Sequence, residues 1–408
     1  MTAAATLAHP NSPTAPMETS SSTTPLWRVL APICVMVFME FLAMGLPLTI
    51  LPGHVHGTLG FGSFIVGLAI GAQSWVTLAT RHTAGTRADQ RGPRSTAMLG
   101  LALSVIAGVM YAASSAVLNP SASLVVLLLG RGLLGVGESL VVTGALAWGV
   151  ALAGRERSGI VMAWVGIAMY GALAVGAPLG SEVTAHVGFV GMAIVAAFAP
   201  LPGIGAALLV RAVTPVGGAR LPFYRALRLI WLPGLGLSLA ALGFGAIAAF
   251  STLFFREHGW ANAALAMSAF GAAFVLVRLL FGGLPDRFGG ARVAMASAAV
   301  AALGQLGMWL ATSGPMAVAA AALTGLGFSL AFPSFGVEAV RRVPSQNRGV
   351  ALGAYAASFD VAMGLGVPAL GMVVGVFGYG AAFAVSALSA LGSLVIAIAL
   401  GSRARPSA

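Results

Sequence analysis

The chain has 408 residues, of which 59% are hydrophobic and only 8% are charged, and its mean hydropathy is +0.97. A soluble domain of this length would carry roughly a quarter of charged residues, so the composition excludes an ordinary water-soluble protein. The net charge is +11, and all 21 basic residues are arginines in or near short polar segments between long apolar runs. Because membrane proteins place basic residues in this way, the charge does not require a nucleic-acid partner.

Apolar stretches long enough to cross about 30 Å of hydrocarbon recur along the whole chain. They predict an all-α membrane protein with twelve transmembrane helices in two pseudo-symmetric bundles of six. The predicted spans are roughly 27–51, 63–84, 95–117, 124–151, 158–181, 187–210, 229–253, 261–283, 291–312, 315–340, 349–373 and 377–400.

An even number of spans places both termini on one side of the membrane. If that side is the cytoplasm, eighteen arginines fall in inner segments and only Arg256 falls in an outer loop. Arg131 and Arg278 lie within spans. This asymmetry predicts cytoplasmic termini.

The distribution of polar segments also predicts the domain organisation. Residues 1–25 are rich in Ser, Thr, Pro and Ala, which favours a flexible tail over a cleaved signal. After this tail, the sequence predicts a first six-helix bundle at 26–211, a cytoplasmic linker between the bundles at 212–228, a second six-helix bundle at 229–400 and a short cytoplasmic tail at 401–408.

The two halves contain related sequences. RHTAGTRADQRGPR, from Arg81, aligns with RLLFGGLPDRFGGAR, from Arg278, at an offset of 197 residues. A second match, at an offset of 190, relates span five to span eleven and pairs Tyr170 with Asp360. Two independent matches in corresponding places indicate an internal duplication.

These motifs resemble those of the major facilitator superfamily of secondary transporters. GTRADQRGPR resembles its signature between helices two and three, GGLPDRFGGAR is a weaker copy, and RGLLGVGES resembles its fourth-helix signature. GALAVGAPLG resembles the fifth-helix signature of exporters, with Ala177 in place of the usual glycine. Segments such as GVGESL and GGLPDRFGG look like the bacterial arabinose-efflux-like or multidrug-efflux-like permeases. The resemblance covers all twelve spans and implies a location in the bacterial inner membrane.

Three carboxylates lie near the middle of predicted spans: Glu40 in span one, Glu138 in span four and Asp360 in span eleven. A charge facing lipid costs at least a few kcal/mol, so each is expected to face a cavity or a partner. The resemblance implies that helices one and four line the central cavity. We expect these carboxylates to bind protons or substrate. The alternative for each is a structural hydrogen bond to an adjacent helix.

Two further residues belong to the predicted substrate and proton-coupling site. Arg131 lies seven residues before Glu138, on the same helical face, and could modulate Glu138 or contact substrate. Alternatively, it ties helix four to carbonyl groups of neighbouring helices. Tyr170 is included because the repeat pairs it with Asp360.

The loop signatures predict a gating latch at the cytoplasmic ends of the bundles. Gly85 and Gly92 are expected to permit a tight turn, and Asp89 to cap a helix start or meet an arginine across the bundle. The other predicted members are Arg91, Arg94, Gly282, Asp286, Arg287, Glu338 and Arg342. Arg91 and Arg94 could instead serve only as topology-setting charges. Arg81 and Arg278, which end spans two and eight, could extend to the membrane interface.

Together these features predict a transporter that exports a small organic molecule by proton antiport. An uptake symporter for a sugar or organic solute is the alternative, and a non-transporting membrane sensor is a remote one. We expect no enzymatic activity, cofactor or metal site, since no catalytic pair, nucleotide motif or ligand cluster is visible. The expected energy source is the proton gradient. The expected partners are the small-molecule substrate, protons and the lipid bilayer, with no nucleic acid, and the chain is expected to be monomeric. Cavity carboxylates favour a cationic or neutral substrate, whereas Arg131 would suit an anion.

Overall fold

The computed structural model describes residues 26–154, 157–213, 223–343 and 348–403. The predicted tail at 1–25, most of the linker at 212–228 and the end of the chain at 404–408 lie outside these described residues. Within them the secondary structure is helical, with no strand. Eleven continuous helical segments are long and apolar enough to cross a membrane.

One of these eleven segments, Ile160–Leu209, contains two of the predicted spans. Its helix Ser158–Phe198 is interrupted at Gly188, where φ is 70° and ψ is −177°. A positive φ of this kind is readily accessible to glycine, so the chain changes direction there without a longer loop. We number the arm 158–187 as α5 and the remainder, 189–209, as α6. The structure therefore contains the twelve predicted helices, and the all-α fold class is confirmed.

The other helices follow the predicted order. Short helical turns at Leu51–Gly53 and His54–Thr58 extend the first, and Leu284–Phe288 precedes the ninth. The remaining bounds are α1 (Leu26–Leu48), α2 (Ser63–Arg91), α3 (Pro93–Ser114), α4 (Pro120–Ala153), α7 (Phe223–Glu257), α8 (Ala264–Phe281), α9 (Gly290–Trp309), α10 (Gly314–Val340), α11 (Arg348–Val361, a π-helical turn Ala362–Gly366, and Val367–Phe377) and α12 (Gly380–Arg403).

The turn between α2 and α3 lies at one glycine only. Helix α2 continues through Gly85 to Arg91, so the prediction that Gly85 takes part in the turn is wrong. Gly92 has a φ of 91° and directly precedes α3. Gly289, which lies 197 residues later, has a φ of 89° and directly precedes α9. The two halves thus make the same turn at equivalent glycines.

One close helix packing also repeats between the halves. Gly135 of α4 lies against the backbone of Gln73 in α2, and Gly325 of α10 lies against the backbone of Phe270 in α8. A Cβ atom at either glycine would collide with the carbonyl oxygen it faces. Small residues permit such approach where no hydrophobic effect drives membrane helices together. The glycines of the α4 motif are therefore packing residues.

The two halves meet along α2 and α11, along α5 and α8, and at the end of α1 against α7. We call the end of the molecule that holds Leu26 and Arg403 the terminal side, and the opposite end the distal side. Distal contacts are close: Gly67 of α2 packs on Val367 and Pro368 of α11, and the Thr252 hydroxyl donates to the Thr49 carbonyl oxygen at 2.9 Å. On the terminal side, α2 borders a cavity of about 460 Å³. The two halves are therefore packed against each other on the distal side, and a cavity lies beside α2 on the terminal side.

Candidate functional site

An ion pair joins the two halves where α2 packs against α11. Arg81 of α2 donates from Nη2 to Asp360 Oδ1 of α11 at 3.2 Å, and its Nε donates to Oδ2. The Asp360 side chain is 1% exposed and that of Arg81 is 14% exposed. Arg81 therefore does not extend to the membrane interface, as one prediction had it, but neutralises a predicted site residue.

Glu138 of α4 lies beside this ion pair. Gln73 donates from Nε2 to Glu138 Oε2 at 2.7 Å, and the Thr77 hydroxyl lies 3.3 Å from the same oxygen. The charges of Asp360 and Arg81 both act electrostatically on the Glu138 carboxyl group. Arg81, Glu138 and Asp360 therefore form one buried group, which we call the central charge cluster.

The internal repeat has a counterpart to this ion pair at the other contact between the halves. Tyr170 of α5 stacks on Phe274 of α8, with ring centroids 3.8 Å apart. The Arg278 guanidinium lies 5.1 Å from the centroid of the same Phe274 ring and acts electrostatically on Tyr170. The pairs that the sequence repeat aligned, Arg81 with Arg278 and Asp360 with Tyr170, thus occupy equivalent places. In the second pair a phenol replaces the carboxylate.

Aromatic rings from both halves gather next to Arg278. Phe359, which precedes Asp360 in α11, lies 5.9 Å from Phe244 and 6.2 Å from Phe328 between ring centroids. Offset and tilted ring pairs at such distances are favourable. We call this group the aromatic cluster; its members are Tyr170, Phe244, Phe270, Phe274, Phe328 and Phe359. The sequence analysis did not identify it, because its rings come from five different helices.

Arg131 links α4 to α2 through hydrogen bonds to backbone carbonyl groups. It is 1% exposed and donates from Nε to the Ala69 carbonyl and from Nη2 to the Ile70 carbonyl, each at 3.0 Å. These contacts are those of the structural alternative considered for this residue. They hold α4 against α2, and they satisfy two of the donors of a buried guanidinium.

Glu40 does not take the expected place beside a central cavity. It is 1% exposed, and Ser104 of α3 donates to its Oε1 at 2.6 Å. The same oxygen lies next to Gly137 of α4, where a side chain would leave no room. The carboxyl group is therefore enclosed among α1, α3 and α4 inside the first half, where the charge of Glu138 acts on it.

The predicted latch residues occupy separate places on the terminal side. Glu338 is buried; it accepts from the Ala291 backbone N–H at 3.3 Å and pairs with Arg341 and Arg342 at 3.4 and 3.2 Å. The hydrogen bond from Ala291 joins α9 to α10, and the two ion pairs lie at the end of α10, so all three contacts are within the second half. They do not connect the halves in this conformation.

The remaining latch residues lie at helix ends. Arg94 donates to the Leu208 carbonyl oxygen at 3.3 Å, and Arg91 borders the terminal cavity. Asp89 lies in the last turn of α2. Asp286 and Arg287 are exposed in the short helix Leu284–Phe288, which follows Gly282.

Comparison with known proteins agrees with this architecture. The family model described as Major Facilitator Superfamily matches residues 33–264 and 234–408. An "Uncharacterized MFS-type transporter" of Pseudomonas aeruginosa (strain LESB58) is 42% identical over 407 residues, covering 96% of this chain and 98% of the relative. A similarly named protein of Salmonella typhimurium (strain LT2) is 40% identical over 390 residues, covering 93% and 97%.

Solved structures share the fold at low sequence identity. A POT family peptide transporter in an auto-inhibited state matches with a TM-score of 0.73 and 13% identity, covering 93% of this chain and 98% of that one. The human organic anion transporter MFSD10 (TETRAN) matches with a TM-score of 0.65 and 15% identity, covering 91% and 99%. The twelve helices, the repeated packing and the family match together show that this chain is a multi-pass membrane transporter of the major facilitator superfamily.

Proposed function

We propose that the protein is a proton-coupled transporter that exports a small organic molecule by antiport, through alternating access between its two halves. The observation that carries this proposal is the central charge cluster. It places a protonatable carboxyl group, Glu138, beside an ion pair that bridges the halves. We further propose that the chain is a monomer of the arabinose-efflux-like or multidrug-efflux-like branch in a bacterial inner membrane, with its terminal side in the cytoplasm.

The central charge cluster links protonation of Glu138 to the conformation, because both change the balance of charge between the two halves. Removal from water disfavours the ionised form of a carboxyl group, so Glu138 can exchange a proton as its surroundings open and close. The bridge between Arg81 and Asp360 must also change when the halves rock apart at this level. Removing one partner from a buried ion pair costs about 3–5 kcal/mol, so the motion requires compensation from a bound proton or substrate.

Antiport follows if substrate and proton exclude each other at Glu138. A cationic or neutral hydrogen-bonding substrate would use the ionised carboxylate, and a proton would displace it. Two features support export: the exporter-like signature in α5, and a cavity that opens on the terminal side. Substrate could enter that cavity from the cytoplasm.

One observation favours a second candidate, uptake by proton symport. Arg278 lies at the contact between the halves without the carboxylate that its counterpart Arg81 has. An anion bound there would attract a proton to Glu138, so substrate and proton would bind together.

The proposal is tested in everted membrane vesicles that hold the protein and maintain a respiration-driven pH gradient reported by a fluorescent dye. Sugars, amino acids, cationic dyes and organic acids are added in turn. A compound that collapses the gradient with the wild-type protein should have no effect with Glu138→Gln. The matched control is Glu182→Gln, since Glu182 is exposed near the distal kink. Equal proton movement by wild type and Glu138→Gln would remove Glu138 from the coupling mechanism.

A further inference from the structure

We propose that Arg278 and the adjoining aromatic cluster form a binding site for an organic anion with an aromatic or otherwise apolar body. This inference rests on the proposed alternating-access transport between the two halves, and of the two proposed coupling modes it belongs with the second, proton symport. It names the substrate class and a binding residue, Arg278, for which the sequence suggested a position at the membrane interface.

Arg278 lies on the surface of α8 that faces the other half. On this surface, Gly271 packs against Ala174 of α5, and Phe274 stacks on Tyr170. Arg278 follows one turn later, toward the terminal side, with its guanidinium over the Phe274 ring. A ligand entering between the halves from the terminal side would therefore meet Arg278 where the contact between α5 and α8 ends.

The charge of Arg278 lacks a counter-charge among the described residues. Its Nε is buried without a hydrogen-bond partner, and no carboxylate in the described part of the chain pairs with it. At the equivalent place in the repeat, Arg81 is neutralised by Asp360. Tyr170 stands where that carboxylate would be, and a phenol is neutral at physiological pH.

An unpaired guanidinium in such a place is costly, and a bound anion would remove the cost. Burial of a charge is tolerated when it is paired and hydrogen-bonded. A guanidinium presents parallel N–H groups that match the two oxygens of a carboxylate. The group that best completes this site is therefore a carboxylate or a similar planar anion.

The surroundings define the rest of the ligand. The aromatic cluster lies directly behind Arg278, and its member Phe359 is only half-buried. An aromatic body could pack on these rings with favourable edge and face contacts. On the terminal side, Arg87 and Arg91 of α2 border the cavity beside that helix, and positive charge there concentrates anions at this end of the molecule.

The negative charge of the bound anion determines whether its binding takes up or releases protons. An anion near Tyr170 also lies near Glu138, which acts electrostatically on Tyr170. The anion would therefore favour the protonated form of Glu138, and its binding should be accompanied by proton uptake. This is the sign that symport requires, whereas antiport requires proton release.

The site is tested by calorimetry on the purified full-length protein at neutral pH, with three probes of one shape: 2-naphthoate, 2-naphthamide and 2-naphthylmethylammonium. Wild type should bind naphthoate at least tenfold more tightly than the amide and should not bind the ammonium. Arg278→Gln should remove the preference for naphthoate but keep amide binding, which shows that the variant is folded. Arg278→Lys should keep part of the preference, and Arg292→Gln, at an exposed arginine, should keep all of it.

The inference is overturned if wild type binds the amide as tightly as naphthoate, if naphthoate does not bind, or if Arg278→Gln binds naphthoate as wild type does. Repeating the titration in buffers of different ionisation enthalpy measures proton uptake, which Glu138→Gln should abolish. Naphthoate binding at Arg278 without proton uptake would refute the coupling proposal and leave the anion site intact. Proton transport of another compound that depends on Glu138, without naphthoate binding, would refute the anion site alone.

Discussion

Substitution of Asp360 by asparagine should destabilise the conformation seen here. Asp360 is 1% exposed, and it accepts two hydrogen bonds from the Arg81 guanidinium. Loss of one member of a buried ion pair costs about 3–5 kcal/mol. Because the Arg81 side chain retains 14% exposure, water can compensate in part, and we expect about 3 kcal/mol.

The bridge joins α2 of one half to α11 of the other, so its loss should shift the balance between conformations as well as stability. About 3 kcal/mol corresponds to roughly a hundredfold change in an equilibrium constant. Spin labels at Thr86→Cys and Arg287→Cys, with Cys34 replaced by alanine, would report the separation of the halves on the terminal side. Asp360→Asn should reduce the population with widely separated labels.

A double-mutant cycle with Arg81→Gln isolates the pair itself. The double variant should be less destabilised than the sum of the single ones, because it leaves no unpaired charge. The matched control is Asp286→Asn, since Asp286 is exposed in the short helix before α9. A coupling energy below about 0.5 kcal/mol, together with unchanged label distances, would refute the bridging role.

Four other changes test the placement of single residues. Glu40→Gln should keep proton-coupled transport, because Glu40 is enclosed in the first half and hydrogen-bonded to Ser104; loss of coupling in the vesicle assay would contradict this. Arg131→Met should reduce the free energy of unfolding by about 1–3 kcal/mol, because the carbonyl groups of Ala69 and Ile70 lose their hydrogen bonds from Arg131. The protein that remains folded should keep its substrate preference. Gly92→Ala should cost about 1–3 kcal/mol at its φ of 91°, whereas Gly85→Ala, inside α2, should be neutral or stabilising, and unfolding in denaturant compares the two. Glu338→Ala, which removes the acceptor, should speed hydrogen exchange at the start of α9, where Glu338 accepts from a backbone N–H; unchanged exchange at residues 290–293 would count against that cap.

The number, order and approximate ends of the helices followed from the sequence, because hydropathy along the chain is a local property. The internal repeat was also readable, and it aligned Arg81 with Arg278 and Asp360 with Tyr170 before any contact was known. The mid-span position of Glu138 identified a member of the central charge cluster for the same reason. An ionisable residue in an apolar run must find a polar partner wherever the helix is placed.

Which partner each residue finds was decided only by the tertiary structure. Arg81 and Asp360 are 279 positions apart, and their pairing depends on how α2 and α11 are rotated and docked. The rotation of α1 likewise turns Glu40 toward Ser104 of α3, inside the first half. Sequence determines that a charge must be buried, but the direction in which a helix presents it depends on packing with helices from distant parts of the chain. For that reason the repeat could align Arg278 with Arg81, while only the assembled halves show one arginine neutralised and its counterpart without a counter-charge among the described residues.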